Sequence, residues 1–517
     1  MDGVLNGFRI IDEGAEIPFN NVCNNYGSAT CAENRDAVER LLLGEISEGR
    51  YCRVCYRPNI VSALGTVPKK DSHDLRLIHD CSQPSGYALN DLCNPDSCRF
   101  QTLDDAVSML KPGWFMAKVD LKNAYRAVGI HPSNFAATGL HWHFKGDEQP
   151  TFLIDKRLPF GARNSPLIFH RLTQAVRRMM SRKGYSGIVV YLDDFFIAAS
   201  SKSECLHIRN VLLRLLRKLG FHINWNKVEG PSTQLKFLGI LINTVTGVLC
   251  LAADRLNELR ELARQFLLKR RATRKQLQAL AGKLNWACQV VRGGRIYLRR
   301  IFDSISKLKK PNHKIKLPAA LKEDLLWWFR FLKNFNGKAA FPEQKPTTDV
   351  FVDACNNGAG AFFRGDWVYC NWETDWPGAA ALHINYKEAL TIVLAARRWA
   401  PAWKNKRVII QTDSQVARAI INKGSCHNKI VMCAIRELFW SSVHFNFTLH
   451  CVYVEGSKNE LADAVSRLHE LRQWPRLGSL LCAWSAQCNL TPPTYWLPNH
   501  ISPKTLNLLR RCQTTTK

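Results

Sequence analysis

Ile188-Val-Val-Tyr191-Leu192-Asp193-Asp194-Phe-Phe-Ile-Ala-Ala199 decides the reading of this chain. Two apolar, β-prone runs flank a pair of acids, a pattern that predicts an antiparallel hairpin with the acids at its turn. Asp is common in turns because its side chain bonds local backbone amides, so the pair alone says little. Its flanks say more. They are almost wholly apolar, which places both carboxylates beside buried strands rather than on an open surface. Adjacent carboxylates repel, and a cation between them relieves that cost. Hard oxygen donors suit Mg²⁺. Upstream, Trp114-Phe-Met-Ala-Lys-Val-Asp120-Leu reads as another strand, with Asp120 near its end.

Nucleotidyl transfer uses such sites: two Mg²⁺ ions lower the pKa of an attacking 3′-hydroxyl and neutralise charge on the leaving pyrophosphate. The resemblance then becomes specific. Tyr191-Leu-Asp193-Asp194 resembles the hairpin motif of reverse transcriptases, and Val119-Asp120-Leu-Lys-Asn-Ala-Tyr125 their first catalytic strand. Leu158-Pro-Phe160-Gly161-Ala-Arg-Asn-Ser165-Pro166 resembles the template-and-nucleotide motif, and Phe237-Leu-Gly239 the primer grip. The four stand in the family's order. A lone Tyr-x-Asp-Asp is weak; this ordered set is strong.

The resemblance implies roles position by position. Asp120, Asp193 and Asp194 match the metal-binding aspartates, with Asp194 holding metal least tightly. Tyr125 matches the gate whose ring excludes a 2′-hydroxyl, the group that separates RNA from DNA. Lys69 and Arg76 match the basic hairpin residues that clamp the nucleotide triphosphate, and Phe160 belongs to the nucleotide-binding set. Lys227 matches a general acid for the leaving pyrophosphate. Read without the family, Tyr125 is an ordinary half-buried tyrosine and Lys69 and Arg76 form a solvated basic turn. One departure stands out: many gypsy-like and retroviral enzymes carry arginine where this chain has Ser82, which affects a template contact and not the chemistry.

A second set of acids follows residues 336–348, which contain Asn336-Gly337, Pro342 and Pro346 and read as a linker. Asp353 lies in Val350-Phe-Val-Asp353, before the glycine-rich Gly358-Ala-Gly360. Glu388 lies in the helical pattern Asn385-Tyr-Lys-Glu388-Ala-Leu. Asp413 follows the strand Val408-Ile-Ile-Gln-Thr412, and Asp463 sits in Asn459-Glu-Leu-Ala-Asp463. Singly these are a solvated helix residue or a helix N-cap. Together, in the order strand-strand-strand-helix-strand-helix-strand-helix, they resemble the ribonuclease H fold. That resemblance implies four carboxylates holding two Mg²⁺ ions across a scissile phosphate. The loop Val454–Asn459 lacks the histidine that many family members carry there.

The charge agrees. Lys+Arg number 72 against 43 Asp+Glu, a net of +29. A polyanionic partner is the simplest reason to keep such self-repulsion, although a non-specific basic surface gives the same count. The 18 cysteines are scattered, and Cys52-x-x-Cys55 has no second pair at zinc-ribbon spacing. The start of the chain does not read as a secretory signal, and no apolar run is long enough for a bilayer. The expectation is an intracellular protein, cytoplasmic or nuclear, with reduced thiols and no membrane partner.

The fold expected is α+β: a right-hand polymerase with fingers, palm and thumb, followed by an α/β ribonuclease H-like domain. Expected boundaries are an N-terminal extension at 1–55, fingers and palm at 56–250, helical thumb and connection at 251–340, the nuclease at 347–469 and a poorly structured, Pro-containing tail at 470–517. Within the basic helical region one helix is expected to begin with Asp254 as N-cap. Another begins at Thr273, where Thr273-x-x-Gln276 has capping-box spacing. Trp286, Trp327 and Trp328 read as core residues. The resemblance implies Mg²⁺, two ions per site with Mn²⁺ as the alternative. It also implies an RNA template, a DNA primer, RNA–DNA hybrid and dNTPs as partners; nothing sets the oligomeric state. Leu277-Gln-Ala-Leu-Ala-Gly282-Lys-Leu-Asn looks most like DIRS-type or gypsy-like retrotransposons, of which the chain reads as one segment or a truncated copy. Two other readings are a decayed copy that binds nucleic acid without polymerising and an RNA-dependent RNA polymerase. The intact acids oppose the first; Tyr125 and the appended nuclease oppose the second.

Overall fold

The apolar runs that suggested strands form them. The computed structural model describes residues 2–20, 22–68, 74–93, 98–291, 293–334, 336–339 and 347–488. The chain divides into two compact units at Val248/Leu249.

In the first unit, helix α1 (Ala32–Ser47) precedes β1 (Tyr51–Val54), β2 (Ala63–Pro68) and β3 (Leu75–Asp80). Then come β4 (Phe115–Asp120), β5 (Gly139–Trp142), β6 (Thr151–Asp155) and α2 (Ser165–Arg182). The acidic hairpin is β7 (Ile188–Tyr191) and β8 (Asp194–Ala199), followed by α3 (Lys202–Lys218), β9 (Glu229–Ser232), β10 (Gln234–Phe237) and β11 (Ile240–Asn243). A four-stranded antiparallel sheet runs β7-β8-β4-β9. Its strands read as near-continuous apolar runs because side chains on both faces are covered. Val119, Phe195 and Ile197 join Phe169 of α2 and Leu212 of α3 in one core. A smaller core gathers Val38 and Leu42 of α1 with Leu64, Trp142 and Leu153.

The second unit opens with α4 (Ala253–Leu268), α5 (Arg274–Ala287) and α6 (Ala319–Asn334). The α5 start is as expected: Thr273 Oγ1 accepts from the Gln276 amide while Gln276 Oε1 accepts from that of Thr273. The α4 start is not. Ala252 is its N-cap, and Asp254 falls in the first turn, where its charge favours the helix dipole. Then follow β12 (Thr347–Ala354), β13 (Gly358–Phe363), β14 (Asp366–Asn371), α7 (Ile384–Trp399), β15 (Arg407–Thr412), α8 (Gln415–Lys423), α9 (Lys429–His444), β16 (Thr448–Tyr453) and α10 (Glu460–Ser466). Their sheet runs β14-β13-β12-β15-β16, antiparallel across the first three strands and parallel across β12, β15 and β16.

Two expectations change here. Gln473–Gln487, placed in a poorly structured tail, forms helix α11. Pro475 is tolerated because it lies in the first turn, where its missing N–H has no intrahelical partner. Leu477 and Leu481 are fully buried against Phe362 and Val465, each contributing about 1.5–3 kcal/mol. Residues 489–517 lie outside the described residues, as do 340–346 of the expected linker. The helices before that linker also share one unit with the nuclease-like sheet. Buried Asp324 of α6 accepts from Arg300 (2.9 Å) and from Arg436 of α9 (3.3 Å). Trp328 is fully buried, whereas Trp327 is half-buried and stacks on Tyr297 with ring centroids 3.9 Å apart.

Candidate active sites

The first site grows from strand register. Asp120 ends β4 and pairs directly with Asp194, the first residue of β8. Leu192 at φ 53° turns the hairpin and leaves Asp193 beside them, its carbonyl accepting from the Leu121 amide. Burial pushes Asp194 up to about 7, with further push from Asp193 and Asp120. Asp193 is raised by burial and by Asp120. Lys227 stands in a short 3₁₀ turn, its ammonium 3.1 Å from Asp120 Oδ2, and lowers the cost for both neighbours.

Asp120, Asp193, Arg76, Tyr125, Phe160 and Lys227 line one cavity of about 920 Å³. Tyr125 packs between Phe160 (5.2 Å between centroids) and Phe169 (5.4 Å), and the Arg76 guanidinium lies 5.7 Å from the Phe160 ring. Gly161 lets the loop carrying Phe160 approach β3: at φ 126° a Cβ would sit 2.0 Å from the His79 carbonyl oxygen. Lys69 lies outside the described residues. Ser82 donates its amide to Asp80 and accepts from Asn90.

Sequence reading missed Asn224. Its side chain donates to Asp120 Oδ1 (2.8 Å) and its amide to the Asp120 carbonyl (2.9 Å). Its position three residues before Lys227 was the available signal.

In the second unit, carboxylate oxygens of Asp353, Glu388 and Asp413 lie within 4.8 Å of one another. Asp353 and Glu388 are buried. Burial, with the two neighbouring acids, pushes Glu388 up to about 9. Burial pushes Asp353 up to about 7, against a 2.6 Å bond from Ser466 Oγ. Glu388 Oε1 accepts weakly from the Ala354 amide at 3.3 Å, while Oε2 is buried with no hydrogen-bond partner among the described residues. An all-carboxylate set with an orphaned buried oxygen fits a hard divalent cation. The fourth acid stands apart: Asp463 pairs with Arg467 (2.7 Å) and Arg476 of α11 (2.8 Å). Helix α10, which carries Asp463, rests on β13 because Gly360 has no side chain; a Cβ there would lie 2.3 Å from the Ser466 nitrogen.

Comparison with known proteins bears on the first of these sites. The family described as reverse transcriptase (RNA-dependent DNA polymerase) matches residues 67–242. The Tf2-3 polyprotein of Schizosaccharomyces pombe is 23% identical over 456 residues, which cover 82% of this chain. The chain resembles retroelement reverse transcriptases. The Tf2-7 polyprotein of the same yeast matches the chain to the same extent, and in both cases the chain spans 30% of the relative's length. Among solved structures, a foamy viral protease-reverse transcriptase in complex with RNA/DNA hybrid superposes with a TM-score of 0.55 at 17% identity, covering 86% of this chain and 56% of that one. The same viral protein in complex with dsDNA gives 0.53 at 18%, covering 87% of each. At such identities these likenesses bear on the fold, which is that of a reverse transcriptase. Among the described residues no helix is long and apolar enough to cross a membrane.

Proposed function

We propose that this chain copies retroelement RNA into DNA by two-metal nucleotidyl transfer, and that a ribonuclease H centre in the same chain degrades the RNA strand of the resulting hybrid. The observation that carries the proposal is the cavity whose lining joins Asp120 and Asp193 to the cations Arg76 and Lys227 and the rings Tyr125 and Phe160. A metal-binding floor, cations for a triphosphate and aromatic walls for a sugar and base are what a nucleotide site combines.

In this reading Asp120, Asp193 and Asp194 would hold Mg²⁺ or Mn²⁺, which would supply activation of the primer hydroxyl and neutralisation of the leaving group. Arg76, with Lys69, clamps the triphosphate. Phe160 supports the nucleotide, and Tyr125 excludes a 2′-hydroxyl. Lys227, now bonded to Asp120, carries a proton at the position where pyrophosphate leaves. Asn224 fixes the Asp120 carboxylate. In the nuclease centre Asp353, Glu388 and Asp413 would hold metal, and Asp463 would join them only on leaving Arg467 and Arg476. The partners are an RNA template, a DNA primer, their hybrid and dNTPs, and the working place is intracellular, in cytoplasm or nucleus. Residues 56–250 act as fingers and palm, 251–340 as thumb and connection and 347–469 as nuclease, with 1–55 and 470–517 flanking them.

The test uses the full chain, a labelled DNA primer on an RNA template, and Mg²⁺. The expected result is extension with dNTPs far above rNTPs, together with cleavage of a labelled RNA strand in a preformed hybrid, both lost with EDTA. No extension in either Mg²⁺ or Mn²⁺ overturns the polymerase reading, and an uncut hybrid overturns the nuclease reading.

A further inference from the structure

Arg126 directly follows Tyr125 in the single 3₁₀ turn Ala124–Ala127, yet its guanidinium is buried, with only 6% of the side chain exposed. A charge taken out of water needs its hydrogen-bonding capacity met. Two carboxylates and a carbonyl meet it here. Nη1 donates to Asp155 Oδ1 (2.9 Å) and Oδ2 (2.7 Å) and reaches the Leu158 carbonyl at 3.4 Å. Nε and Nη2 both donate to Glu45 Oε2, at 2.9 and 2.7 Å. The guanidinium also lies 5.0 Å from the Tyr51 ring. Glu45 is in turn bonded by Arg50 on both oxygens, at 2.8 and 2.9 Å. Arg50 also pairs with Glu48, so two arginines and three carboxylates form one connected cluster.

These partners come from separate pieces of chain. Asp155 ends β6, and Leu158 begins the loop that carries Phe160. Glu45 sits on α1, upstream of residues 67–242, the part that matches the family. Glu45, Tyr51 and Arg126 also line the same cavity as Tyr125 and Phe160. One side chain therefore ties the turn bearing Tyr125 to the loop bearing Phe160 and to the N-terminal helix.

We infer that Arg126 is the positioning residue of the sugar gate, and that α1 takes part in nucleotide selection by holding Arg126 through Glu45. The inference rests on the reading of Tyr125 as the gate. A planar fork bridging two carboxylates fixes direction as well as distance, and an ammonium cannot reproduce it. If the fork is loosened, the Tyr125 ring can give way to a 2′-hydroxyl while the metal-binding acids stay in place.

The test is steady-state primer extension by the full chain with dCTP and with CTP, comparing wild type, Arg126→Lys and Glu45→Gln. In Arg126→Lys the ratio of kcat/KM for dCTP over CTP should fall by roughly 10- to 100-fold, the scale of a small misplacement at a reacting site. The change should appear as a higher KM for dCTP and a lower one for CTP. Glu45→Gln keeps the Asp155 bonds and should shift the ratio in the same direction by less. The Tm of each variant checks that the unit carrying Arg126 still folds, and cleavage of the RNA strand of a hybrid, which uses the other unit, should be unchanged in both. If Arg126→Lys does not fold, Glu45→Gln decides alone. A lowered Tm with an unchanged ratio means the cluster is only structural and overturns the inference. An inactive wild type overturns the polymerase reading and the inference together; an active wild type with unchanged ratios overturns the inference alone.

Discussion

Asp120 and Asp194 face each other in register across β4 and β8, the last residue of one strand against the first of the next. Like charges directly opposite one another destabilise a strand pair. Here Asp193 lies beside them as well, and burial together with the neighbouring acids lifts Asp194 to about 7. The local fold is therefore strained electrostatically in favour of whatever cation the three carboxylates accept.

That strain predicts how metal binding depends on pH. Glu388, at about 9, and Asp353 and Asp194, at about 7, each hold a proton in the folded chain that the unfolded chain releases near 4. Each stabilising contribution is thus complete below the unfolded pKa and is lost as pH rises through the folded one. The metal-free chain should lose stability from about pH 5 to 9, and Mg²⁺ should raise Tm more at pH 8.5 than at pH 6. Melting curves with and without Mg²⁺ at the two pH values measure it; an equal Mg²⁺ effect at both rejects it.

Asp193→Asn should abolish DNA synthesis while RNA–DNA binding stays largely intact. It should not lower Tm in EDTA, because it removes a buried charge that Asp120 opposes. Extension at the wild-type rate with Mg²⁺ present contradicts the metal role.

Glu388→Gln should stop cleavage of the RNA strand and leave primer extension running. Glu388 is pushed up to about 9, so at pH 7 without metal it is a neutral acid that Gln copies in shape and charge. Tm in EDTA should barely move, and the Mg²⁺-dependent rise should shrink. Loss of polymerisation in a folded variant would mean that the two centres are not independent.

Binding to a primer–template should weaken steeply with salt and depend little on sequence. The net charge of +29 implies many phosphate contacts, each releasing counterions. A flat plot of log K against log salt concentration argues against a backbone-tracking surface.

The clustering of the acids was legible because its signal is local: apolar strands that stop at an aspartate, and a hairpin whose turn is Leu192-Asp193. The order of strands and helices along the second set of acids was legible too, whereas the order of strands within the sheet was not read from sequence. What sequence left unread was non-local. Nothing adjacent to Arg126 announces that Glu45 and Asp155, 81 and 29 residues away, meet its guanidinium. Asp463 looked equivalent to the other acids, yet Arg467 one helical turn on and Arg476 from α11 bind it. Helix α11 itself carried a readable period in Trp474, Leu477, Leu481 and Trp484, but Pro475 and the prolines beyond 490 drew the reading toward an unstructured tail.

Tyr125 is where the functional and the packing readings compete. Its ring is half-buried between Phe160 and Phe169, and Phe169 belongs to the core beneath the sheet. Burial, with Asp193 and Tyr191 nearby, pushes its hydroxyl up to about 12, so the ring is neutral throughout the working range. It also lines the cavity with Asp120 and Asp193, so a nucleotide held by those acids brings its sugar to this ring. Tyr125→Ala should therefore do two things. It should lose stability, by less than the about 3–5 kcal/mol of a fully buried aromatic ring. It should also gain CTP incorporation far more than it loses dCTP incorporation, because discrimination by exclusion disappears with the excluding group. Tyr125→Phe separates the effects: it keeps the ring, and so should keep both stability and selectivity. Measuring Tm and the dCTP/CTP ratio of kcat/KM on both variants decides the matter. A destabilised Tyr125→Ala with the wild-type ratio leaves Tyr125 as a core residue and removes the gate.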